Sequence, residues 1–328
     1  MLLLLASFLL APDCIQSYSE ASAAHHVVPV RFEHAGVTLV GDLYVPEGAG
    51  PHPAVILMHG GGTNFEVIMD TPRFFGPRLA ACGIAALVYH KRGTGDSGGD
   101  SGTAVFEDFV GDAVAAAALL AERDEIDGDH IGVLGFSQGG RLAPLVAVQS
   151  PHIAFVASVS GPFVSAEETR LYALEKSFRR SQVSEERLSL VMPLWRTHYE
   201  AVAKQDVQAM AAMDERIRTL RESLPAGLLP PLSHQWRPDP ILNSMGRDYN
   251  AGLDQVRVPW LSLWGELDEA VPVGQSRENV AAAARAGGND RVELRVIPRV
   301  GHSFFNRETG ESFAFEDAVI AWILEQIR

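Results

Sequence analysis

The feature that most constrains this chain is its regular alternation of continuous apolar runs with helical patterns. Residues 53–59 (PAVILMH), 83–89, 130–136 (HIGVLGF) and 153–160 (IAFVASVS) are each apolar throughout and bounded by glycine, proline or polar residues, as buried strands are. Between them, residues 72–81, 104–123 and 138–148 carry helical spacing. Strands of this kind are covered on both faces, which requires a parallel sheet with helices on either side. Residues 26–34 and 37–45 read as two more strands, joined by a tight turn at Ala35-Gly36. The alternation resumes late in the chain with strands at 258–264 and 292–297 and helices at 274–286 and 313–327. The expected fold is therefore α/β, a mostly parallel, doubly wound sheet of eight strands.

Residues 161–255 depart from this texture. A crossover between parallel strands needs only about a dozen residues, and this stretch is far longer and helical. Ser165 and Glu168 have the spacing of a capping box. Leu188, Val191, Met192, Trp195, Tyr199 and Val202 form an amphipathic stripe, and Val207, Met210, Ile217, Leu220 and Leu224 continue at helical spacing behind Asp206, a suitable N-cap. The expectation is a helical cap inserted after the sixth strand, dividing the core into residues 24–160 and 256–328.

At the N-terminus, residues 2–11 (LLLLASFLLA) are too short to cross a hydrocarbon core, which needs about 20 residues. Ala21-Ser22-Ala23 supplies a small-x-small cleavage pattern, so residues 1–23 are expected to be a signal peptide and the protein to be exported to a periplasm or secreted. No Lys or Arg precedes the apolar run, and without cleavage the chain would be cytoplasmic. Removing this segment also removes Cys14 and leaves Cys82 alone, a small core residue in the run AACGIAALVY. Forty-one acidic against 27 basic residues give a formal charge of −14. That balance repels phosphate backbones and anionic headgroups, which argues against a nucleic-acid partner and against stable membrane insertion.

The chemistry concentrates at three places. Gly135-Phe136-Ser137-Gln138-Gly139 has the G-x-S-x-G pattern, directly after a strand and opening a helix. A strand-to-helix elbow strains its apex residue, and glycines two positions either side make room, so the Ser137 hydroxyl projects above the sheet edge as a nucleophile. A serine needs a base and the base an orienting carboxylate. In a doubly wound sheet, sites form at the carboxyl ends of strands, which favours His302 among eleven histidines, His59 also ending a strand but in its own glycine context, and favours Asp268, with Glu266 and Asp254 its rivals and Asp254 at the wrong end of the strand. Finally, His59-Gly60-Gly61-Gly62 follows a strand, and backbone N–H groups in such a turn stabilise a developing oxyanion. Gly61 or Gly62 would provide one donor and the N–H of Gln138 the other.

Taken with Lys91-Arg92-Gly93-Thr94-Gly95-Asp96-Ser97, the pair Val271-Pro272 after Asp268, and Gly301 before His302, these motifs fall in the order found in α/β-hydrolases, which the chain resembles over nearly all of its mature length. The resemblance implies a Ser137, Asp268, His302 triad, with the cap between strands six and seven. It is nearest to the capped bacterial esterases related to the dienelactone hydrolase and acyl-peptidase branches. It departs from the dienelactone type, whose nucleophile is cysteine, and it has no propeller domain. The expected activity is hydrolysis of small carboxylic esters through an acyl-enzyme; amide or peptide cleavage, thioester cleavage and acyl transfer on the same triad are the alternatives, with a non-catalytic binding protein of the same fold a further rival. No cofactor and no metal is implied, and oligomeric state is not legible. Arg92 and Arg141 are expected to be structural, Trp195 and Trp236 cap core, and Trp260, Trp264 and Trp322 sheet core.

Overall fold

The computed structural model describes residues 13–16, 25–61, 65–235, 240–306, 308–310 and 313–328. The cleavage site at Ala23, Gly62 and Trp236 lie outside the described residues. In chain order the main elements are α1 (Asp13–Gln16), β1 (His25–His34), β2 (Val37–Pro46), β3 (His52–Met58), α2 (Phe65–Ala81), β4 (Ala85–Tyr89), α3 (Phe106–Ala121), β5 (Ile126–Phe136), α4 (Gln138–Gln149) and β6 (Ile153–Val159). They continue with α5 (Ala166–Arg180), α6 (Glu185–Ala203), α7 (Val207–Leu220), α8 (Pro240–Asn243), β7 (Trp260–Gly265), α9 (Val273–Gly287), β8 (Val292–Ile297) and α10 (Phe315–Gln326).

The eight strands form one sheet in the order β1-β2-β4-β3-β5-β6-β7-β8, with only the β1–β2 and β2–β4 pairings antiparallel. This is the expected α/β-hydrolase architecture. Successive side chains of a strand face opposite ways, and β3 shows the consequence: Ala54, Ile56 and Met58 pack among residues of α3, α4 and α9, while Val55 and Leu57 pack among those of α2 and α10. Trp260 and Trp264 fill the first face and Trp322 the second, so all three serve the core as expected.

Two elements are longer than their sequence signals. Helix α2 begins at Phe65 and runs through Pro72 and Pro77, although a proline is most at home in a first turn. Each interior proline removes a backbone donor; the burial of Met69, Phe75 and Leu79 against the sheet offsets that loss. Strand β5 begins at Ile126 because His52 pairs with it across a register shift, a contact invisible in the local pattern.

Between β6 and β7, α5 to α8 enclose small cores of their own, one built on Phe178, Leu188, Val191, Leu194, Met213 and Ile217. The Ser165–Glu168 capping box forms, and Asp206 accepts from the N–H of Ala209 at 2.9 Å. Trp195 packs here and donates Nε1 to Leu228 O. Val207, expected in the apolar stripe, is instead exposed. It is the first residue of α7, at the end of the helix rather than in its packed middle.

Cys82, expected to stand alone once residues 1–23 are removed, is bonded in the full chain to Cys14, 68 positions earlier. That pairing pins α1 beside the end of α2 and makes Cys82 a crosslink rather than a free core thiol.

Candidate active site

Ser137 sits between β5 and α4 with φ 51° and ψ −112°, a conformation costly for a residue with a Cβ, on the order of 1–3 kcal/mol. The flanking glycines show why it is tolerated. A Cβ on Gly135 would lie 2.2 Å from Gly139 O, and one on Gly139 would lie 2.2 Å from Met58 O. Only glycine lets the elbow fold this tightly against β3. The apex is further held by the Ser137 N–H donating to Val159 O at 2.8 Å.

Above the carboxyl ends of the strands the three sequence-selected side chains meet. The Ser137 hydroxyl lies 3.1 Å from His302 Nε2, and His302 Nδ1 lies 2.7 Å from Asp268 Oδ2. Asp268 is buried, and its second oxygen accepts from the N–H groups of Ala270 and Val271 at 2.8 and 2.9 Å. With the carboxylate so fixed, the imidazole carries its proton on Nδ1 and presents a lone pair at Nε2 to the serine. The rivals are elsewhere: Glu266 is exposed and accepts from Arg299 N–H, and Asp254 lies in the turn Leu253–Gln255 before β7.

Gln138 is the first residue of α4, where a helix N–H has no intrahelical acceptor. The glycine turn after β3 lies against this elbow: a Cβ on Gly60 would be 3.5 Å from Ser137 Cβ, and one on Gly61 3.6 Å from the Gln138 side chain.

Arg92 is structural, as expected, and its carboxylate partners are on α3, with His34 of β1 3.0 Å from Nη2. It grips Asp112 through Nε at 2.9 Å and Nη2 at 2.5 Å, and Asp108 at 3.0 Å; these bonds hold its guanidinium above the usual range. Arg141 is buried, donates to Val164 O, and lies 5.6 Å from the rings of Phe106 and Tyr249; burial pushes it down to about 10.

Sequence reasoning missed three neighbours. Ser160, at φ 51°, donates its hydroxyl to His302 O at 2.9 Å and so anchors the loop of His302. Tyr172 on α5 donates to Asp268 O at 2.9 Å, joining the helical insertion to the loop of Asp268. Lys91 is buried beside His59 and Gly60, and burial, partly opposed by Asp112, takes its amine down to about 7. Only Lys91 had a signal in sequence, its place in the turn after β4.

The sequence that builds this elbow also matches a known family. The profile described as serine aminopeptidase, S33, covers residues 49–309. The chain belongs to that family. It is 29% identical over 245 residues to the esterase EstD of Thermotoga maritima, a match spanning 70% of this chain and 56% of the relative. The chain thus spans little more than half the length of that curated relative. Among solved structures it resembles the Pyrococcus furiosus esterase Pf2001 (TM-score 0.60, 17% identity, 95% of each chain) and acetyl xylan esterase 1 of a Thermoanaerobacterium species (TM-score 0.56, 18% identity, 95% of this chain and 86% of that one). At these identities the structures speak for the fold alone.

Proposed function

We propose that this protein is a serine carboxylic ester hydrolase working through an acyl-enzyme. The observation that carries the reading is the continuous relay from Ser137 Oγ through His302 to the buried carboxylate of Asp268. His302 takes the hydroxyl proton as Ser137 Oγ bonds to the ester carbonyl carbon, whose oxygen becomes the oxyanion. The N–H of Gln138 and that of Gly61 or Gly62 receive this oxygen. The imidazolium, stabilised by Asp268, then protonates the departing alcohol. A water deprotonated at Nε2 attacks the acyl carbon, and Ser137 leaves with its proton restored. The esterase EstD supports esters over amides as the substrate class.

The insertion between β6 and β7 is read as a cap. A groove of about 790 Å³ runs along α5 and α6, lined by Leu171, Tyr172, Leu188 and Met192 among others, and Tyr172 ties it to the loop of Asp268. Among the described residues no helix is long and apolar enough to cross a membrane. Export remains the reading for the apolar N-terminal run. The Cys14–Cys82 bond supports it, since disulfides persist in oxidising compartments, and on this reading the leader ends before Cys14.

The test compares matched nitrophenyl ester, nitroanilide and thioester substrates of several acyl lengths, with Ser137→Ala as control. Esters should be cleaved with the highest kcat/KM, and Ser137→Ala should lower turnover by about 10⁴-fold to 10⁶-fold. Preference for the anilide would move the reading to the peptidase side of the family, and full activity in Ser137→Ala would end it. Intact mass of the exported protein checks the leader: retention of Cys14 is expected.

A further inference from the structure

A glycine turn has no side chains with which to hold itself, and a trans peptide carries its C=O and N–H on opposite sides of one plane. The carbonyl of Gly60 and the N–H of Gly61 belong to the same peptide. Whatever fixes the first therefore aims the second. Gly60 O is gripped from two sides, by His59 Nδ1 at 2.8 Å and by Lys91 Nζ at 3.0 Å. The same Nζ donates to Gln138 Oε1 at 2.6 Å and lies 5.0 Å from the centre of the Phe109 ring. The main-chain N–H of Lys91 donates to His59 Nε2 at 3.4 Å, which leaves the other ring nitrogen to carry the proton given to Gly60 O. Burial, reinforced by Lys91, holds that ring neutral.

We propose that Lys91 is a positioning residue: its amine staples the Gly60 carbonyl to the Gln138 side chain, and so holds the two backbone donors, Gly61 N–H and Gln138 N–H, where the oxyanion forms. The inference rests on the serine-hydrolase reading above. A buried amine is a poor choice for packing alone, since desolvation opposes its charge and a methionine would fill the same space. Its value lies in its hydrogens. Protonated or neutral, it has at least two N–H bonds, enough for both acceptors, which come from 31 residues upstream and 47 downstream in the chain.

The experiment measures kcat, KM and inhibition by a trifluoromethyl ketone in the wild type, Lys91→Met and Lys91→Gln. The ketone is attacked by Ser137 Oγ, its carbonyl oxygen becomes an oxyanion, and the serine proton passes to His302, so its affinity reports the oxyanion site without a leaving group. In Lys91→Met, kcat should fall about 10²-fold, the scale of losing one oxyanion donor, with ketone affinity falling in the same proportion. KM should stay within about threefold, since a transition-state interaction is what is lost. Lys91→Gln, which keeps two N–H donors, should recover about a tenth of wild-type turnover or more, because the donors and not the charge orient the peptide. Unchanged kcat and ketone affinity in folded Lys91→Met would overturn the proposal, as would a loss confined to KM. If Lys91→Met does not fold, Gln138→Met carries the test. It should lower kcat and ketone affinity together, and unchanged ketone affinity would overturn the proposal. Activity persisting in Ser137→Ala would refute the underlying hydrolase reading; an inactive Ser137→Ala beside an unaffected Lys91→Met would refute the positioning role alone.

Discussion

Asp268→Asn perturbs the relay at its buried end without changing its shape. In the wild type, Oδ1 accepts from two backbone N–H groups and Oδ2 accepts from His302 Nδ1–H. Asparagine has one acceptor oxygen and one NH₂. Turning the NH₂ toward Ala270 and Val271 would set donor against donor twice, so the oxygen stays there and the NH₂ faces His302. The imidazole must then accept at Nδ1 and carry its proton on Nε2, the nitrogen that should take the proton of Ser137. The expected loss in kcat is about 10⁴-fold, as for a base locked in the wrong tautomer, or roughly 5.5 kcal/mol of transition-state stabilisation. Stability should change little, because both backbone donors keep their acceptor. Asp268→Ala should behave differently, stranding both donors at about 1–3 kcal/mol each. Steady-state hydrolysis of a nitrophenyl ester, paired with urea denaturation of each variant, separates the effects. A kcat for Asp268→Asn within tenfold of wild type would refute the tautomer argument.

Three further outcomes follow from particular contacts. Gly139→Ala places a Cβ 2.2 Å from Met58 O and 2.9 Å from His59 O, backbone atoms that cannot swing aside, so stability should fall by at least about 2 kcal/mol; an unchanged melting midpoint and turnover would contradict the close approach. Arg92→Met leaves the fully buried Asp112 carboxylate without its guanidinium and with only His34 beside it, and urea denaturation should show a loss of about 3–5 kcal/mol, smaller when Asp112→Asn is added; equal losses in the single and double variants would contradict the pairing. Lys91 titrates near 7 in the fold against 10.5 ordinarily, so between those values the unfolded chain holds a proton there that the folded chain lacks. Its contribution to stability therefore rises with pH across that window, by up to about 1.4 kcal/mol per unit, and is flat below it. The difference in unfolding free energy between wild type and Lys91→Met should grow from pH 7 to pH 9, and a constant difference would argue against burial of the amine.

What was legible in the sequence was whatever local pattern encodes. Strands β3 to β7 announce themselves as apolar runs and β8 as a short strand carrying Glu293 and Arg295, and once they are known, the carboxyl-end rule brings Ser137, Asp268 and His302 to one rim although they are far apart in the chain. The glycines at 135 and 139 signalled the elbow for the steric reason the backbone shows. The rest depended on contacts between distant segments. Nothing near Lys91 says that its amine ends between Gly60 and Gln138, and nothing near Ser160 or Tyr172 says that their hydroxyls hold the loops of the base and the acid. The early start of β5 depends on His52, and the fate of Cys82 on Cys14. Arg92 lies between the two cases: its structural role was readable from its turn, its carboxylate partners on α3 were not.

The central claim is that Ser137 becomes covalently acylated. Acid-quenching the protein milliseconds to seconds after mixing with a nitrophenyl ester, then digesting it and weighing the peptides, tests this without inference from rates. The peptide containing Ser137 should gain the mass of the acyl group, at a stoichiometry approaching one in a slowly deacylating ester, and the adduct should vanish in His302→Ala. Turnover with Ser137 unmodified, or with the acyl group on another residue, would contradict the account.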